Sequence, residues 1–500
     1  MSIFAICLII SITIYTTLFL VQRSKSTRRR GLRLPPGPYP FPVIGNLFQI
    51  GRNPHRSLAR LSKTYGPLMS LKVGCHNIVV VSSPEVAKEM FTKHDRNISG
   101  RFAPVATEAY DHHKYSFVLS PVGPFWRKCR TICRELLFSA QKLQASQGLR
   151  RDKLMQLYEH VKDCASRGRA VNIQEVVYTN TINLMFATMF SFDFGEVDSN
   201  AARELKEALE EVFNTVFAPN LADYFPVLKG TDLQGIKRRG EKSFGKILGI
   251  LEDVIQKRLE SMNSTESSKK NDFLAALLDG NNRREYDISI NDIKHLIVEL
   301  LLGGADTIAS VTVWAMTELL RNPEKATILR NELRIVIGED KQVEESDISR
   351  LPYLQAVVKE VLRYHPPGPL LLPRKAEADI QVMGYTIPKD TQIFINVWCM
   401  GRDSNIWSDP DSFQPERFVD SKIEFQGHHF EYTPFGSGRR ICPGIPLGDR
   451  MLHLVIAFLV RDFEWKLERG HELDVSEKYG TALRKRVPLI AVPSMLSFSV

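Results

Sequence analysis

The 500-residue sequence predicts a mainly α-helical fold with small β-sheets. Three observations carry that expectation. Apolar residues recur at the helical period over most of residues 141–262, Asn291–Leu320, Tyr353–Tyr364 and Leu447–Val460. Strand-like patterning is short, as in Leu68–Val73 and Ile78–Val81 within Gly66–Ser82. A hydrophobic share of 43% and a charged share of 25% are those of a globular chain. No linker interrupts the sequence beyond residue 46, so residues 46–500 are expected to form one unit.

At the N-terminus, Ile3–Val21 is 19 residues without a charge. As a helix it would reach about 28 Å, close to the thickness of a bilayer core. Basic residues follow this run and none precedes it, which predicts an anchor over residues 3–21 with the remainder on the cytosolic side. Of the net charge of +9, six units come from Arg23, Lys25, Arg28, Arg29, Arg30 and Arg33, leaving +3 for residues 51–500. So weak a balance on the folded part argues against a nucleic-acid partner. Leu34–Pro42 holds five prolines in eight residues and makes residues 22–45 a basic, stiff hinge.

Pro84–Lys93 reads as a short helix, and Arg96–Leu119, which carries Phe102 and Phe117, as a long loop. A helix opens near Trp126, placing Trp126 and Arg130 on one face. Helical patterning breaks at Pro219–Pro226, and residues 263–271 form a polar surface loop. The sequons at Asn97 and Asn263 are discounted, because a cytosolic domain is not glycosylated. Cys7, Cys75, Cys129, Cys133, Cys164, Cys399 and Cys442 are odd in number and widely spaced, unlike a disulfide framework. His112-His113 and His428-His429 lack partners at zinc spacing and are expected at the surface.

Asn291–Leu320 is the longest helical pattern, and its centre reads Gly303-Gly304-Ala305-Asp306-Thr307. Each interior glycine costs about 1 kcal/mol relative to alanine. A buried acid beside a hydroxyl adds a desolvation penalty. Such local conflicts mark functional sites. Small residues let a ligand lie close against the helix, and Asp306 and Thr307 place an acid and a hydroxyl side by side in sequence. Further on, Glu360 and Arg363 share a helix face. Prolines bar a helix from Pro366–Arg374 and leave a strand-like run with Leu370, Leu371 and Leu372. Finally, Phe435-Gly436-Ser437-Gly438-Arg439-Arg440-Ile441-Cys442-Pro443-Gly444 places one cysteine among glycines and arginines, ahead of an apolar helix. Cationic surroundings favour the thiolate, which is the ligand form.

The spacing Phe-x-x-Gly-x-Arg-x-Cys-x-Gly resembles the haem-binding signature of the cytochrome P-450 superfamily. Trp126-x-x-x-Arg130, Gly303-Gly304-x-Asp306-Thr307, Glu360-x-x-Arg363 and Pro415-Glu416-Arg417-Phe418 match its other motifs in order. The resemblance implies the cytochrome P-450 fold, a helical haem-sandwiching domain with a β-rich lobe. It implies haem b, with Cys442 as the axial iron ligand and Trp126, Arg130, Arg374 and Arg440 on the propionates. Phe435, Gly438 and Gly444 would shape the loop. Glu360, Arg363 and Arg417 would brace it, and Asp306 and Thr307 would deliver protons to O₂. A pocket of Phe102, Phe117, Phe217, Ala305, Leu370, Leu371, Leu372, Ala482 and Leu483 is implied, the last two within Tyr479–Leu483. One departure is Ile308, where many family members carry a second hydroxyl.

The layout is similar to plant microsomal enzymes. Residues 145–151, Ala222–Pro226 and Gly368–Ala376 resemble the plant terpenoid hydroxylases, a family that includes geraniol 8-hydroxylase and ferruginol synthase. That implies an endoplasmic reticulum enzyme taking electrons from NADPH through the flavoprotein NADPH–cytochrome P-450 reductase. Its substrate would be a terpenoid, an abietane-type diterpenoid or a monoterpene alcohol of the geraniol type. A haem-thiolate isomerase or lyase, or a non-catalytic haem protein, stays open as another class.

Overall fold

The computed structural model describes Thr13 and residues 33–193, 199–216, 218–263, 272–338, 341–470 and 472–496. Apart from Thr13, the expected anchor at 3–21 lies outside the described residues, as do residues 22–32 of the hinge, Phe217 and residues 264–271. The described part of the hinge is extended and docked. Pro35 and Pro36 carbonyls accept from the Ser70 hydroxyl (2.6 Å) and amide (2.7 Å). Proline has no amide hydrogen to offer, so the segment is held through its acceptors.

The β lobe follows. Helix α1 (Pro54–Tyr65) leads into the hairpin β1 (Leu68–Val73) and β2 (His76–Val81), paired Leu68↔Val81 to Val73↔His76. Helix α2 (Pro84–Lys93) begins where Ser83 caps the Val86 amide and proline occupies the first turn. After β3 (Gly100–Arg101) comes the helical body. Its main elements are α3 (Pro124–Cys133), α4 (Ile173–Phe190), α5 (Ser199–Val216), α6 (Ile236–Asn263) and α7 (Ile290–Arg321). Helix α8 (Pro352–Tyr364) precedes the strands β4 (Arg374–Lys375) and β5 (Gln392–Ile395), which return to the first sheet in the order β1-β2-β5-β4-β3. Helix α9 (Ile445–Arg461) and the hairpin β6 (Glu477–Lys478) and β7 (Arg484–Lys485) complete the site.

Helix α7 organises the core. Ser289 and Asp292 form a reciprocal capping box that fixes its start, and Asn322 ends it before Pro323. Its 32 residues span roughly 48 Å. It is the one described helix long and apolar enough to cross a membrane, yet most of it is enclosed by α4, α8 and α9. Its apolar character therefore belongs to a domain core. A separate core on one face of the sheet joins Leu58, Met69, Leu71, Ile78 and Val80.

Two segments differ from expectation. Arg96–Leu119 is not one long loop: it contains β3, a 3₁₀ turn at Val105–Asp111 and a one-turn helix at His112–Tyr115. Distant carboxylates order it. Asp223 accepts the Val105 amide (2.7 Å) and Glu299 the Phe117 amide (3.0 Å). Pro366–Pro373 forms turns rather than a strand, with Leu371 at φ +51°, and pairing begins only at Arg374.

Candidate active site

Cys442 is held by its own loop. Its amide donates to Phe435 O at 3.0 Å, closing the turn that Gly436 (φ +76°) and Gly438 (φ +66°) make possible. A Cβ on Gly438 would lie 2.2 Å from Asp95 Oδ1. Gly444 stands just before α9, and an added Cβ there would lie 3.8 Å from Cys442 Sγ. Phe435 packs against Phe425 with ring centres 5.2 Å apart. Burial pushes the Cys442 thiol above its usual range, while the Gly444 and Ile445 amides bonded to the sulfur and the Arg130 charge pull it back. These donors stabilise a thiolate at a helix N-terminus. Cys442 as a whole is half-buried.

On α7 the two glycines serve different purposes. Gly303 is exposed at the centre of a buried helix, and a Cβ there would meet nothing within 4 Å. At Gly304 a Cβ would approach Met185 Cε to 2.8 Å, so this glycine permits close packing on α4. Thr307, one turn from Gly303, donates its hydroxyl to Gly303 O at 2.8 Å. Asp306 turns elsewhere: Arg484 Nε donates to Oδ2 at 3.0 Å and Nη2 reaches Oδ1. The expected acid and hydroxyl are sequence neighbours with separate partners. Arg484 was missed because nothing local links residues 178 positions apart.

Four of the arginines named from sequence lie near one another, together with Arg101. The Arg130 and Arg440 guanidiniums lie 5.8 and 5.4 Å from the Trp126 ring centre. Arg130 donates to Ile441 O (2.8 Å), and Arg440 to the carbonyls of Ser99 (2.9 Å), Phe117, Val118 and Ser120. Arg374 donates to Ser437 O (2.7 Å) and pairs with Asp95 at 3.4 Å. Arg439, to which sequence assigned no partner, also binds Asp95, at 2.7 Å. The addition is Arg101, whose Nη1 donates to the Leu372 and Pro373 carbonyls while its buried Nε has no partner. Burial lowers the Arg440 pKa to about 10, and neighbouring Arg374 adds to the effect.

These residues pass two tests for a haem. Arg101, Arg130 and Arg440 form no ion pair among the described residues, which suits a group carrying two carboxylates. Gly303 faces open space, where an added Cβ would meet nothing within 4 Å, and Cys442 is not fully enclosed.

Behind the loop, Glu360 and Arg363 are fully buried and joined by two 2.7 Å bonds, Nε to Oε2 and Nη2 to Oε1. Arg417 Nε adds a 3.2 Å bond to Oε1, and the Gln414 amide one of 2.7 Å. Arg363 further binds the carbonyls of Gly401, Pro410 and Ser412, so the cluster spans α8 and residues 401–417.

Several of the residues named for the pocket are fully buried. Leu370 joins the cluster around Leu58 and Met69, because the turn at Gly368–Leu371 directs it there. Ala305 lies on the packed side of α7, and Phe117 belongs to the same core. Ala482 and Leu483 are closed in, and Leu483 O accepts from Ser310 Oγ (2.9 Å) and Trp314 Nε1 (3.2 Å). Leu371, Leu372 and Phe102 remain half-buried, Phe102 lying edge-on to His76. His112 is another correction: it is buried, with Nδ1 2.8 Å from His295 Nδ1.

A helical body thus packs around a central helix with small residues at its middle, and a thiol is cradled at the N-terminus of a neighbouring helix. The sequence profile of the Cytochrome P450 family matches residues 35–491, and the chain belongs to that family. It is a haem-thiolate monooxygenase, using O₂ and electrons from a reductase. It is 50% identical over 481 residues to Cytochrome P450 76T24 of Catharanthus roseus, covering 96% of each chain. To ferruginol synthase of Salvia miltiorrhiza it is 50% identical over 473 residues, covering 94% of this chain and 96% of the relative. A zebra fish cytochrome P450 solved with progesterone superposes with a TM-score of 0.76 over 88% of this chain and 99% of that one; at 23% identity this shows the fold.

Proposed function

We propose that the protein hydroxylates a plant terpenoid, an abietane-type diterpenoid, at the expense of NADPH and O₂. One observation carries this substrate class: half of the residues match a ferruginol synthase along nearly the full length of both chains. The balanced reaction takes a C–H bond, O₂, NADPH and a proton to an alcohol, water and NADP⁺. Haem b, when bound, supplies the oxygen activation. The chain does the rest. Cys442 presents a thiolate stabilised by two amides. Trp126, Arg130, Arg374, Arg440 and Arg101 hold the carboxylates. Phe435, Gly438 and Gly444 shape the thiol loop, and Glu360, Arg363 and Arg417 brace it. Thr307 holds a proton at Oγ1 beside the open side of Gly303, and Asp306, the adjacent acid, shares in proton delivery. Leu371, Leu372 and Phe102 offer apolar surface to the substrate.

Residues 3–21 form a single-pass anchor in the endoplasmic reticulum membrane, residues 22–45 a hinge, and residues 46–500 the catalytic domain on the cytosolic face. Tyr39 (86% exposed) in the hinge and Phe48 (77%) just beyond it support a membrane-facing side. NADPH–cytochrome P-450 reductase supplies electrons, docking near the cysteine loop.

The test is to incubate membranes containing this protein and its reductase with NADPH and a panel of mono- and diterpenes, followed by mass spectrometry. Hydroxylated diterpene is the expected product. Oxidation confined to geraniol-type alcohols would move the substrate to monoterpenes. Turnover without NADPH would replace hydroxylation by isomerase or lyase chemistry. Replacing Cys442 by serine must remove the thiolate absorbance band of the reduced, CO-bound protein, and a retained band refutes the ligand assignment.

A further inference from the structure

His76 opens β2, directly after the hairpin turn at Gly74-Cys75. Gly74 is left-handed at φ +53°, and a Cβ there would strike the Tyr224 carbonyl, so the hairpin meets the one-turn helix Leu221–Tyr224 backbone to backbone. The Cys75 amide donates to Tyr224 O at 3.0 Å, and the His76 ring bonds through Nε2 to Asp223 O at 2.7 Å. A carbonyl only accepts, so Nε2 carries the proton, and in the neutral ring Nδ1 is left as a bare acceptor. Nδ1 makes no hydrogen bond among the described residues. The ring is half-buried and Nδ1 is not sealed off, so a small molecule can reach it. Phe102 stands edge-on to this ring, with centres 5.0 Å apart. It follows Arg101, whose guanidinium donates to the carbonyls of Leu372 and Pro373. Tyr224 lies 6.5 Å away and packs on the cluster that holds Leu370. Asp223 Oδ1 accepts the Val105 amide at 2.7 Å, which fixes the segment carrying Phe102 against the same one-turn helix. An acceptor held rigidly beside aromatic surface recognises a single donor, and the donor a terpenoid offers is a hydroxyl.

We propose that His76 is a specificity-determining residue: its Nδ1 accepts a hydrogen bond from a hydroxyl already on the substrate, so that the enzyme selects oxygenated terpenoids over hydrocarbons. This rests on the terpenoid-hydroxylase reading above and narrows its substrate class. A His76 that only tied the hairpin to Leu221–Tyr224 would use Nε2 alone and treat both kinds of substrate alike.

The test uses the full-length holoenzyme with its reductase, NADPH and three abietane probes: a hydrocarbon, the same skeleton with one hydroxyl, and the methyl ether of that alcohol. The parent is expected to show a KM for the hydroxylated probe about fivefold below that for the hydrocarbon, with the ether no better than the hydrocarbon. H76Q keeps a donor toward Asp223 O but withdraws the acceptor. Its KM for the hydroxylated probe is expected to rise about fivefold, while KM for the hydrocarbon stays within about twofold and kcat for both is unchanged. H76N keeps an oxygen near the place of Nδ1 and gives up the bond to Asp223, and it recovers about half of the lost preference or more. An equal rise in KM for both probes in H76Q, or an H76N that discriminates no better than H76Q, reduces His76 to a structural tie and overturns the proposal. If the parent oxidises hydrocarbon and alcohol equally well, the His76 proposal falls and the terpenoid reading stands. If it oxidises none of the three, the abietane reading falls, and geraniol against its methyl ether decides His76: no preference for the alcohol refutes it. Should H76Q fail to load haem, the parent's own alcohol-to-ether comparison takes its place, and KM values within about twofold of each other refute the proposal.

Discussion

Gly303 and Gly438 look alike in sequence, each in a glycine-rich motif, but their surroundings predict opposite responses to alanine. At Gly438 the backbone is left-handed at φ +66°, and the new methyl would strike Asp95, the shared partner of Arg374 and Arg439. Gly438→Ala is expected to destabilise the protein by roughly 1–3 kcal/mol, read as a lower unfolding midpoint, and to reduce the haem-loaded fraction. At Gly303 the methyl meets nothing, and alanine favours the helix by about 1 kcal/mol. Gly303→Ala is therefore expected to hold or raise the unfolding midpoint while weakening the substrate-induced spectral change, because it occupies interior space. An equal loss of stability at both sites would refute this contrast. The Cys442 loop, the Gly303–Thr307 stretch and the Trp126–Arg130 pair were legible as motifs because each is compact in sequence. Arg101, Asp95 and Arg484 were not, since their partners lie far along the chain.

At the scale of elements, α8 and residues 401–417 depend on one buried acid. Glu360 is fully enclosed and neutralises Arg363 and Arg417 together. Glu360→Gln leaves two buried guanidiniums without a counter-charge, and a cost of about 3–5 kcal/mol is expected. The measurement is denaturant unfolding, with haem retention as a second readout; a midpoint within error of the parent would sink the brace. Helix positions were readable because periodicity is local, and the cap at Ser289 accounts for the start of α7. The turns at 96–119 and 366–373 were not readable. Glu299 and Asp223 stabilise the first, and the second answers to the sheet that Arg374 joins.

Across the whole molecule, Glu477 on β6 ties the end of the chain to its beginning. It accepts from His55 Nε2 at 3.1 Å and Arg56 Nε at 2.7 Å, residues of α1 more than 400 positions away. Burial pushes the Glu477 carboxyl up, but the hydrogen bonds from His55 and Arg56 and the Arg56 charge overcome it and hold the pKa at about 2. A folded-state pKa below the unfolded one adds stability that is complete above about 4.5 and disappears as pH falls toward 2. Glu477→Gln is expected to lower stability by about 3 kcal/mol at neutral pH and to flatten the acid side of the stability profile. Parallel profiles for parent and variant would show that the pair does not set acid stability.

Residue order and spacing by themselves determined the family, the cysteine loop, the acid–arginine pair and the position of the central helix. Each of these depends on groups a few residues apart or on a repeating apolar period. Tertiary structure alone decided which leucines face open space, that Asp306 grips Arg484 rather than Thr307, and that Arg101 joins the cationic cluster. These depend on buried charges seeking counter-charges and on side chains filling gaps between elements, and both partners become visible only when the chain has folded.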